Sequence, residues 1–492
     1  MTRYRHLITE DNARWWTLGA MCFALFMIML DNTVVNVALP SIQRDLDSTI
    51  SQLEWAVNGY TLSFGVLLVT GGRLGDIFGR RLMFLSGVAI FAVTSATAGL
   101  APSPELLIAS RILQGIGAAL MMPATLSIIT NAFPAHERGK AIGTWAGVSA
   151  LALSIGPLVG GFLVEHVSWR AIFFINLPVA LIAIVATLFA VRESRDRTIP
   201  RVVDLPGVAS LTVALTALVL ALIEGNAWGW GSPRVVALIA AGVLGLAAFA
   251  WIEQRVRAPM VEFSFFAERN FLGANAVAFI ISFAMLGTFF FMAIYMQDVL
   301  GYSALEAGVR FLPTTLLIVV IAPLAGRLTD RVGALIPIAT GLSILTVAMY
   351  LFSRIDATTT FSDILAPFVI MGVGIALTMS PMSTAAMNAV STQKAGVASG
   401  ILTMSRMVGG SVGVAASGAI FQSQLGGFDP SALATGGAGA RADFADALGS
   451  AMGVAAVVVA IGVVVALATI RRGEQGAPSA TDVPGGAEQV PA

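Results

Sequence analysis

Four polar side chains lie in long apolar runs of the chain, where a polar group without a partner is unfavourable. Asp31 is in the first run, Arg111 and Gln114 are one helical turn apart in the fourth, and Glu224 ends the seventh. A charged side chain in hydrocarbon costs roughly 2.5–3.5 kcal/mol on insertion scales, so each should face a cavity or a partner. Because burial disfavours the charged form of a carboxyl group, Asp31 is the first candidate for proton binding and Glu224 the second.

Plainer interpretations of these residues stay open. Asp31 has a structural alternative, in which it bonds to a neighbouring helix or to Asn32 or Asn36. Arg111 is always charged and must pair with a carboxylate, carbonyls or water, which suits a structural anchor as well as a functional group. Glu224 lies near the end of its run, where contact with water explains it equally well.

The elements that must position these residues are membrane-spanning helices. Of the 492 residues, 57% are hydrophobic and 11% charged, whereas a soluble protein carries roughly a quarter charged residues. Apolar runs of about 20 residues recur, each long enough to cross about 30 Å of hydrocarbon. We therefore predict an all-α integral membrane protein with fourteen transmembrane helices, including spans near 52–72, 304–325 and 394–420.

A short motif occurs twice, after the second and the tenth predicted span. It reads Gly-Arg-Leu-Gly-Asp-Ile-Phe-Gly from Gly72 and Gly-Arg-Leu-Thr-Asp-Arg-Val-Gly from Gly326. Two six-span halves in the same orientation are typical of secondary transporters, which bind cargo between the halves. The predicted division is a cytoplasmic N-tail 1–14, an N-terminal half 15–191, a two-helix insert 204–252, a C-terminal half 271–470 and a disordered cytoplasmic tail 471–492.

Both motif copies are predicted to be loops that form a cytoplasmic gate. Asp76 suits an acceptor for backbone N–H groups at the start of a neighbouring helix, where the macrodipole favours an anion. Arg80 and Arg81 can reach carboxylates or lipid phosphates, although an ordinary basic turn explains these two arginines equally well. The candidate gate residues are Gly72, Asp76, Gly79, Arg80, Arg81, Gly326, Asp330 and Gly333.

The fifth run combines glycine and proline in a way that a straight lipid-facing helix does not need. Pro157 cannot donate the backbone hydrogen bond that Leu153 would accept, so the helix must bend or be supported there. Pairs of glycines four residues apart let another helix approach closely, in a plain packing helix or in a moving transporter. The residues of interest are Gly143, Gly147, Gly156, Pro157, Gly160 and Gly161.

Several motifs resemble a known family. The repeated motif resembles the first-half signature of the major facilitator superfamily, and Gly156-Pro157-x-x-Gly160-Gly161 resembles the antiporter motif of its drug exporters. Three more resemble motifs of the fourteen-span drug:proton antiporter family (EmrB/QacA type). They are Leu30-Asp31-Asn-Thr33-Val-Val-Asn36-Val-Ala38-Leu-Pro40, Arg111-x-x-Gln114-Gly115-x-Gly117 and Trp169-Arg-x-x-Phe173-Phe174-Ile-Asn176-x-Pro178.

The resemblance implies the major facilitator fold and proton-coupled export of amphiphilic drugs or other toxic small molecules by alternating access. It gives Arg111 and Gln114 a role in proton transfer, and it places spans one, four, nine and twelve around a central cavity. We expect a monomer in the lipid bilayer that binds small molecules and protons, no nucleic acid and no cofactor. The candidate cavity residues are Asn32, Asn36, Met122, Asn275, Tyr295 and Met379.

The cargo is narrowed by one departure from the family. Some members that export dicationic drugs carry an acidic residue in the tenth span, whereas Leu316 to Ile321 is wholly apolar here. This favours monovalent cationic or neutral cargo, while Arg111 and Arg406 within the spans leave an anionic cargo open. Transport of one metabolite, such as a siderophore, antibiotic, sugar or amino acid, is the main alternative, and a non-transporting membrane protein is a weaker one.

The last predictions concern the membrane in which the protein lies and whether it is an enzyme. Most of the 28 Lys and Arg lie on one side of the spans, which predicts that both termini are cytoplasmic in a bacterial inner membrane. An enzyme is not expected: His6, His136 and His166 lie outside the spans and far apart, which argues against a His-based metal site. No nucleotide-binding Gly-x-x-x-x-Gly-Lys-Ser/Thr motif is present in the sequence.

Overall fold

The computed structural model describes residues 10–195, 202–256, 259–356, 358–390, 394–425 and 438–471, and this part of the chain is helical without strands. Of the tails predicted for 1–14 and 471–492, residues 1–9 and 472–492 lie outside the described residues, and residues 10–14 are already helical. The α-helices are α1 (Glu10–Leu46), α2 (Ile50–Phe78), α3 (Arg80–Gly99), α4 (Pro104–Ala132), α5 (Ala135–His166), α6 (Ala171–Phe174), α7 (Asn176–Ala190), α8 (Leu205–Trp228), α9 (Pro233–Glu253), α10 (Arg269–Ile294), α11 (Ala304–Val332), α12 (Leu335–Phe352), α13 (Phe361–Asn388), α14 (Ala395–Leu425) and α15 (Ala438–Thr469).

The helices account for the predicted spans. Within the described residues, thirteen helical segments are long and apolar enough to cross a membrane. Helix α14, with 31 residues, coincides with the span predicted near 394–420 and brings the number to fourteen. Two spans are composite, because α6 and α7 are separated at Ile175 and α10 continues into a π-helix at Tyr295–Val299. The predicted fold class is confirmed.

The two motif copies end helices instead of forming loops, and this part of the sequence prediction is wrong. Helix α2 continues to Phe78 and α11 to Val332, so all but the last residue of each motif is helical. The chain turns at Gly79 (φ 124°) and Gly333 (φ 79°), in backbone conformations that L side chains rarely adopt. We call the end of the bundle that carries these two turns the gate end, and the opposite end the far end.

Equivalent helices of the two predicted halves cross in the same way. Helices α3 and α4 meet at Gly87 and Gly117, and helices α12 and α13 meet at Gly341 and Gly374. A Cβ atom added to any of these glycines would lie 2.7 or 2.8 Å from the carbonyl oxygen of its partner. Only glycine therefore allows either crossing, which is the close approach of backbones typical of membrane helices.

At the far end, α5 packs tightly between α1 and α11. A Cβ atom added to Gly156 or Gly160 would clash with α1, and one added to Gly161 would lie 2.5 Å from a backbone carbonyl oxygen of α11. Pro157 lies inside α5, and its carbonyl group contacts Gly308 of α11. Small residues thus let three helices meet in the Gly156–Gly161 region.

Towards the gate end, the glycine face of the same helix has open space around it, although Glu137 pairs with Arg14 of α1 and Trp145 donates to Thr125 of α4. Gly143 and Gly147 have no atom within 4 Å of an added Cβ, so the close approach predicted for this pair is absent in this conformation. The glycine face of α5 is therefore closely packed at the far end and open towards the gate end.

We expect Gly161→Ala to open the far end, because a methyl group so close to a carbonyl oxygen forces α5 and α11 apart. Overpacking costs about 1–3 kcal/mol, which shifts the ratio of closed to open far ends by roughly 5- to 150-fold. A cysteine in place of Ser154, which is buried between these helices, reports the change as faster thiol labelling in a Cys22→Ala background. Gly143→Ala is the matched control, and equal labelling of both variants would contradict the prediction.

Candidate proton-coupling and cargo site

Asp31 is fully buried, and side chains from two other helices surround its carboxylate. Arg111 of α4 donates from Nη1 to Oδ2 at 2.6 Å, and Gln114 of α4 donates from Nε2 to Oδ1 at 3.0 Å. Asn176, the first residue of α7, donates from Nδ2 to Oδ1 at 3.2 Å. Helices α1, α4 and α7 therefore meet at a carboxylate that accepts three hydrogen bonds.

The Arg111 guanidinium is 2% exposed and makes further contacts beyond Asp31. Its Nε donates to the carbonyl oxygen of Ala56 in α2 at 3.1 Å, and Nη1 also donates to Oε1 of Gln114 at 2.7 Å. Its Cζ atom lies 4.2 Å from the centre of the Tyr60 ring. An isolated buried charge costs several kcal/mol, so this set of partners is what allows the guanidinium to remain inside the bundle.

The break between α6 and α7 orients Asn176. Ser95 of α3 donates to the carbonyl oxygen of Phe173 at 2.8 Å and accepts from Nδ2 of Asn176 at 3.0 Å. Gln114 lies 3.4 Å from the same hydroxyl group. The hydroxyl of Ser95 therefore fixes the two amides that bind Asp31, and it brings a further span, α3, into the network.

The Trp169–Pro178 motif, which contains Asn176, is anchored by its first two residues at the far end. Trp169 donates from Nε1 to Oδ2 of Asp45 at 2.9 Å, and Arg170 forms an ion pair with the same carboxylate. Arg170 also donates to the carbonyl oxygen of Ala101 at 3.2 Å. These contacts attach the linker before α6 to the end of α1 and to the α3–α4 turn. After the break at Ile175, α7 begins with Asn176, whose side chain reaches Asp31.

The structure brings together three of the four predicted coupling residues. Asp31, Arg111 and Gln114 form one network, whereas Glu224 lies partly exposed on α8, which packs against α2, α9 and α14 instead. Asp31 does bond to neighbouring helices, as the structural alternative predicts, but among the described residues its partners are not Asn32 or Asn36. Sequence reasoning missed Asn176 as a partner, although the motif that contains it was the available signal.

This arrangement can switch between two charge states. With Asp31 ionised, α1 and α4 are joined by a buried ion pair; with Asp31 protonated, the ion pair is lost and Arg111 keeps only neutral partners. Charge-assisted hydrogen bonds are roughly twice as strong as neutral ones, so one proton changes how firmly the two helices are held.

We expect Asn176→Ala to weaken coupling without abolishing it. A hydrogen bond to a charged group contributes about 1.5–3 kcal/mol, so cargo-dependent proton release should fall by roughly 10- to 150-fold. Asn131→Ala is the control, since this amide is exposed and donates only within its own helix. Release that stays at the wild-type level in Asn176→Ala would show that the amide does not support Asp31.

The turn that ends the first motif copy contacts the end of α7 and the segment that follows it. Asp76 accepts from Arg80 at 2.8 Å within the turn itself, and Arg81 donates to the carbonyl oxygen of Leu188 at 3.0 Å. The carboxylate of Glu193 accepts two backbone N–H groups in the first turn of α3, each at 3.0 Å. The anion at a helix start is therefore Glu193, which sequence reasoning missed, and not Asp76.

The second motif copy forms fewer side-chain bonds among the described residues. Asp330 is exposed and has no ion pair or side-chain hydrogen bond within the part of the chain that the structure describes. The first glycines of the two copies are equivalent, since a Cβ on Gly72 would lie 3.4 Å from Pro123 of α4 and one on Gly326 would lie 3.0 Å from Ser380 of α13.

Four of the predicted cavity residues remain available to a ligand. Asn32, Met122 and Met379 are partly exposed on α1, α4 and α13. Asn36 is buried on α1, and its Nδ2 atom has no hydrogen-bond partner. Methionine adapts its shape to different ligands, so this mixture of amides and thioethers suits adaptable recognition.

The other two predicted cavity residues form hydrogen bonds within the protein. Asn275 accepts from Ser405 of α14 at 2.9 Å and donates to the carbonyl oxygen of Phe271 at 2.9 Å. Tyr295 is fully buried at the start of the π-helix, and its hydroxyl donates to the carbonyl oxygen of Asp356 at 3.1 Å. Tyr295 lies directly after the far end of α10, and its role in the cavity stays a prediction.

Comparison with known proteins agrees with this arrangement. The model of the Major Facilitator Superfamily matches residues 21–414. The chain is 37% identical over 84% of its length to the tetracenomycin C resistance and export protein of Streptomyces glaucescens, covering 77% of that protein. It is 36% identical over 83% of its length to the multidrug resistance protein Stp of Mycobacterium tuberculosis, covering 76% of it, and 38% identical over 82% to the puromycin resistance protein pur8 of Streptomyces alboniger, covering 81%.

Solved structures share the fold. A bacterial homolog of the human lysosomal transporter Spinster, inward-facing and unoccupied, matches with a TM-score of 0.64 at 18% identity, over 93% of this chain and 97% of that one. An auto-inhibited peptide transporter of the POT family matches with a TM-score of 0.65 at 15% identity, over 93% and 96%. The helices, the twin glycine turns and the family match lead to one conclusion: this chain belongs to the Major Facilitator Superfamily.

Proposed function

We propose that the chain is a proton-coupled exporter of amphiphilic, drug-like molecules that works by alternating access. The observation that carries this proposal is the buried ion pair of Asp31 and Arg111, which joins helices α1 and α4 and which one proton on the carboxylate would break. Relatives that carry resistance to tetracenomycin C and puromycin, and one named a multidrug resistance protein, support drug-like cargo. The protein acts as a monomer without a cofactor in a bacterial inner membrane.

The conformation supports alternating access. With both termini cytoplasmic, the gate end faces the cytoplasm and the far end faces outward. Helices α5 and α11 are in close contact at the far end, whereas Gly143 and Gly147 have no close neighbours towards the gate end. This packing supports an inward-facing state, from which cargo is taken up before export.

We infer the cargo class from the apolar stretch of α11. Helix α11 carries Leu316 and Val320 exposed on its outer surface, and no acid lies in this stretch, so we propose monovalent cationic or neutral molecules. The free amide donor of Asn36 offers one hydrogen bond to such a ligand.

The proton gradient supplies enough free energy. One proton that moves inward down about 100 mV and one pH unit releases about 2.3 plus 1.4 kcal/mol, which supports roughly a 500-fold cargo gradient. Protonation of Asp31 from the outer side would replace the ion pair with a neutral acid and loosen α1 from α4 before the far end closes again.

The test uses energised everted vesicles with a pH-sensitive dye. Ethidium, puromycin and tetracenomycin C are added in turn, beside a neutral and an anionic amphiphile, to vesicles with and without the protein. Proton release that depends on both cargo and protein supports drug:proton antiport. No release with any compound, with intact protein in the membrane, would contradict the proposal and favour an exporter of one metabolite.

A further inference from the structure

Glu54 is a second buried carboxyl group, and its surroundings differ sharply from those of Asp31. It lies in the second turn of α2 at the far end and is 0% exposed. Its Oε1 atom accepts one long hydrogen bond, 3.5 Å from Nε2 of Gln422 in α14, and its Oε2 atom has no partner. Asp31 has an arginine and two amides, whereas Glu54 has one distant amide.

The pocket around Glu54 is shaped by α14. A Cβ atom on Gly418 would lie 1.8 Å from Oε1 of Glu54, so only glycine leaves room for the carboxyl group. One turn further along α2, Asn58 accepts from Ser411 of α14 at 2.9 Å. Helices α2 and α14 belong to different predicted halves, so Glu54 lies in a contact that must separate when the far end opens.

No cation compensates Glu54 within the described residues. Arg111 touches the opposite face of α2, through the carbonyl group of Ala56 and the ring of Tyr60. Arg406 of α14 is twelve positions from Gly418 in the sequence, or about 18 Å along the helix. Glu105 of α4 is exposed and accepts from Gln52 instead.

Another acid, Glu224 of α8, lies close enough to interact electrostatically with Glu54. Helix α8 contacts both α2 and α14, and Asn226 donates to the carbonyl oxygen of Ala419 in α14 at 2.5 Å. Glu224 is partly exposed near the far end of α8, so it connects the buried carboxyl group with the outer side.

We propose that Glu54 is a proton-binding site that locks the far end: α2 and α14 close around it only when it carries a proton taken from the outer side through Glu224. A buried carboxylate without a cation beside it costs several kcal/mol, and the neutral acid avoids most of this cost. The proton binds to a carboxylate oxygen of Glu54 as the far end closes and returns to the outer water when it opens. Glu54 thus sets how outer pH controls the conformation, and Asp31 carries the transported proton.

This inference rests on the proposed alternating access, and its test needs neither cargo nor a proton gradient. Purified protein carries spin labels at cysteines in place of Val167 and Arg354, two exposed far-end positions in different predicted halves. Cys22→Ala removes the native thiol, and Asp31→Asn removes the carboxyl group to which we assign the transported proton. Distances between the labels are measured from mildly acidic to mildly alkaline pH.

We expect the ratio of open to closed far ends to rise at least about tenfold with pH when Glu54 is present, a change of about 1.4 kcal/mol. Glu54→Gln, the neutral isostere, should stay closed at every pH, and Glu105→Gln should respond as the parent does. Gly418→Ala should favour the open far end at all pH values, with Gly396→Ala on the same helix as its control, since it has open space around it.

Three outcomes would overturn the inference. They are an unchanged pH response in Glu54→Gln, the absence of any response in the parent, and a Glu54→Gln protein that does not fold, because an amide of the same shape should replace a protonated acid. Failure of the vesicle experiment alone would instead contradict the proposed drug:proton antiport and leave this far-end lock standing.

Discussion

Asp31→Asn is expected to abolish cargo-dependent proton release, with a loss of at least about 100-fold, or 2.7 kcal/mol and more. The amide keeps the shape of the side chain and cannot bind or release a proton. It also leaves Arg111 buried without its counter-ion, although Gln114, Ala56 and the Tyr60 ring remain beside it. The loss should therefore appear in coupling more strongly than in cargo binding.

The measurement for Asp31→Asn is proton release and ethidium binding in the same vesicle preparation. Asp47→Asn is the matched control, since Asp47 is an exposed acid beyond the same helix and its φ of 50° is one that asparagine accepts well. We expect Asp47→Asn to behave as wild type. Normal proton release from Asp31→Asn would mean that another acid carries the transported proton.

Arg111→Ala is expected to be the most destabilising single change in the site. Removal of one partner from a buried ion pair costs about 3–5 kcal/mol, because the other charge stays in place without compensation. Here Asp31, at 0% exposure, would keep only the two amide donors of Gln114 and Asn176. Arg111→Lys should not rescue coupling, because an ammonium group cannot reproduce the planar fork that reaches Asp31, Gln114 and the Ala56 carbonyl.

Thermal unfolding in detergent checks this prediction, with Arg406→Ala as the control. Arg406 is the other arginine within a span, and it has no ion pair among the described residues, so its removal should cost far less. The double variant Asp31→Asn/Arg111→Ala should be less destabilised than the sum of the single variants, by about 0.5–3 kcal/mol. Additive losses would contradict a direct interaction between Asp31 and Arg111.

The gate shows where local sequence patterns were sufficient and where they were not. Recurrence of the motif correctly identified Gly79 and Gly333 as paired features, because a turn with positive φ demands glycine wherever it occurs. The same pattern led to a prediction of loops, since charged residues such as Asp76 and Arg80 are unfavourable in hydrocarbon. The helices continue instead beyond the apolar runs, where water and neighbouring charges accommodate those side chains.

By itself, the sequence determined the fourteen spans and the presence of polar groups that need partners. Both follow from local composition, because hydrocarbon penalises any unpaired backbone or side-chain polar group wherever its partner lies. Only the tertiary structure decided which groups are paired. Asp31 meets Arg111 and Asn176, whereas the one hydrogen bond to Glu54 among the described residues comes from Gln422 of α14, far along the chain. Such partners depend on which backbones small residues allow to approach, and that is a property of three-dimensional packing and not of any one segment.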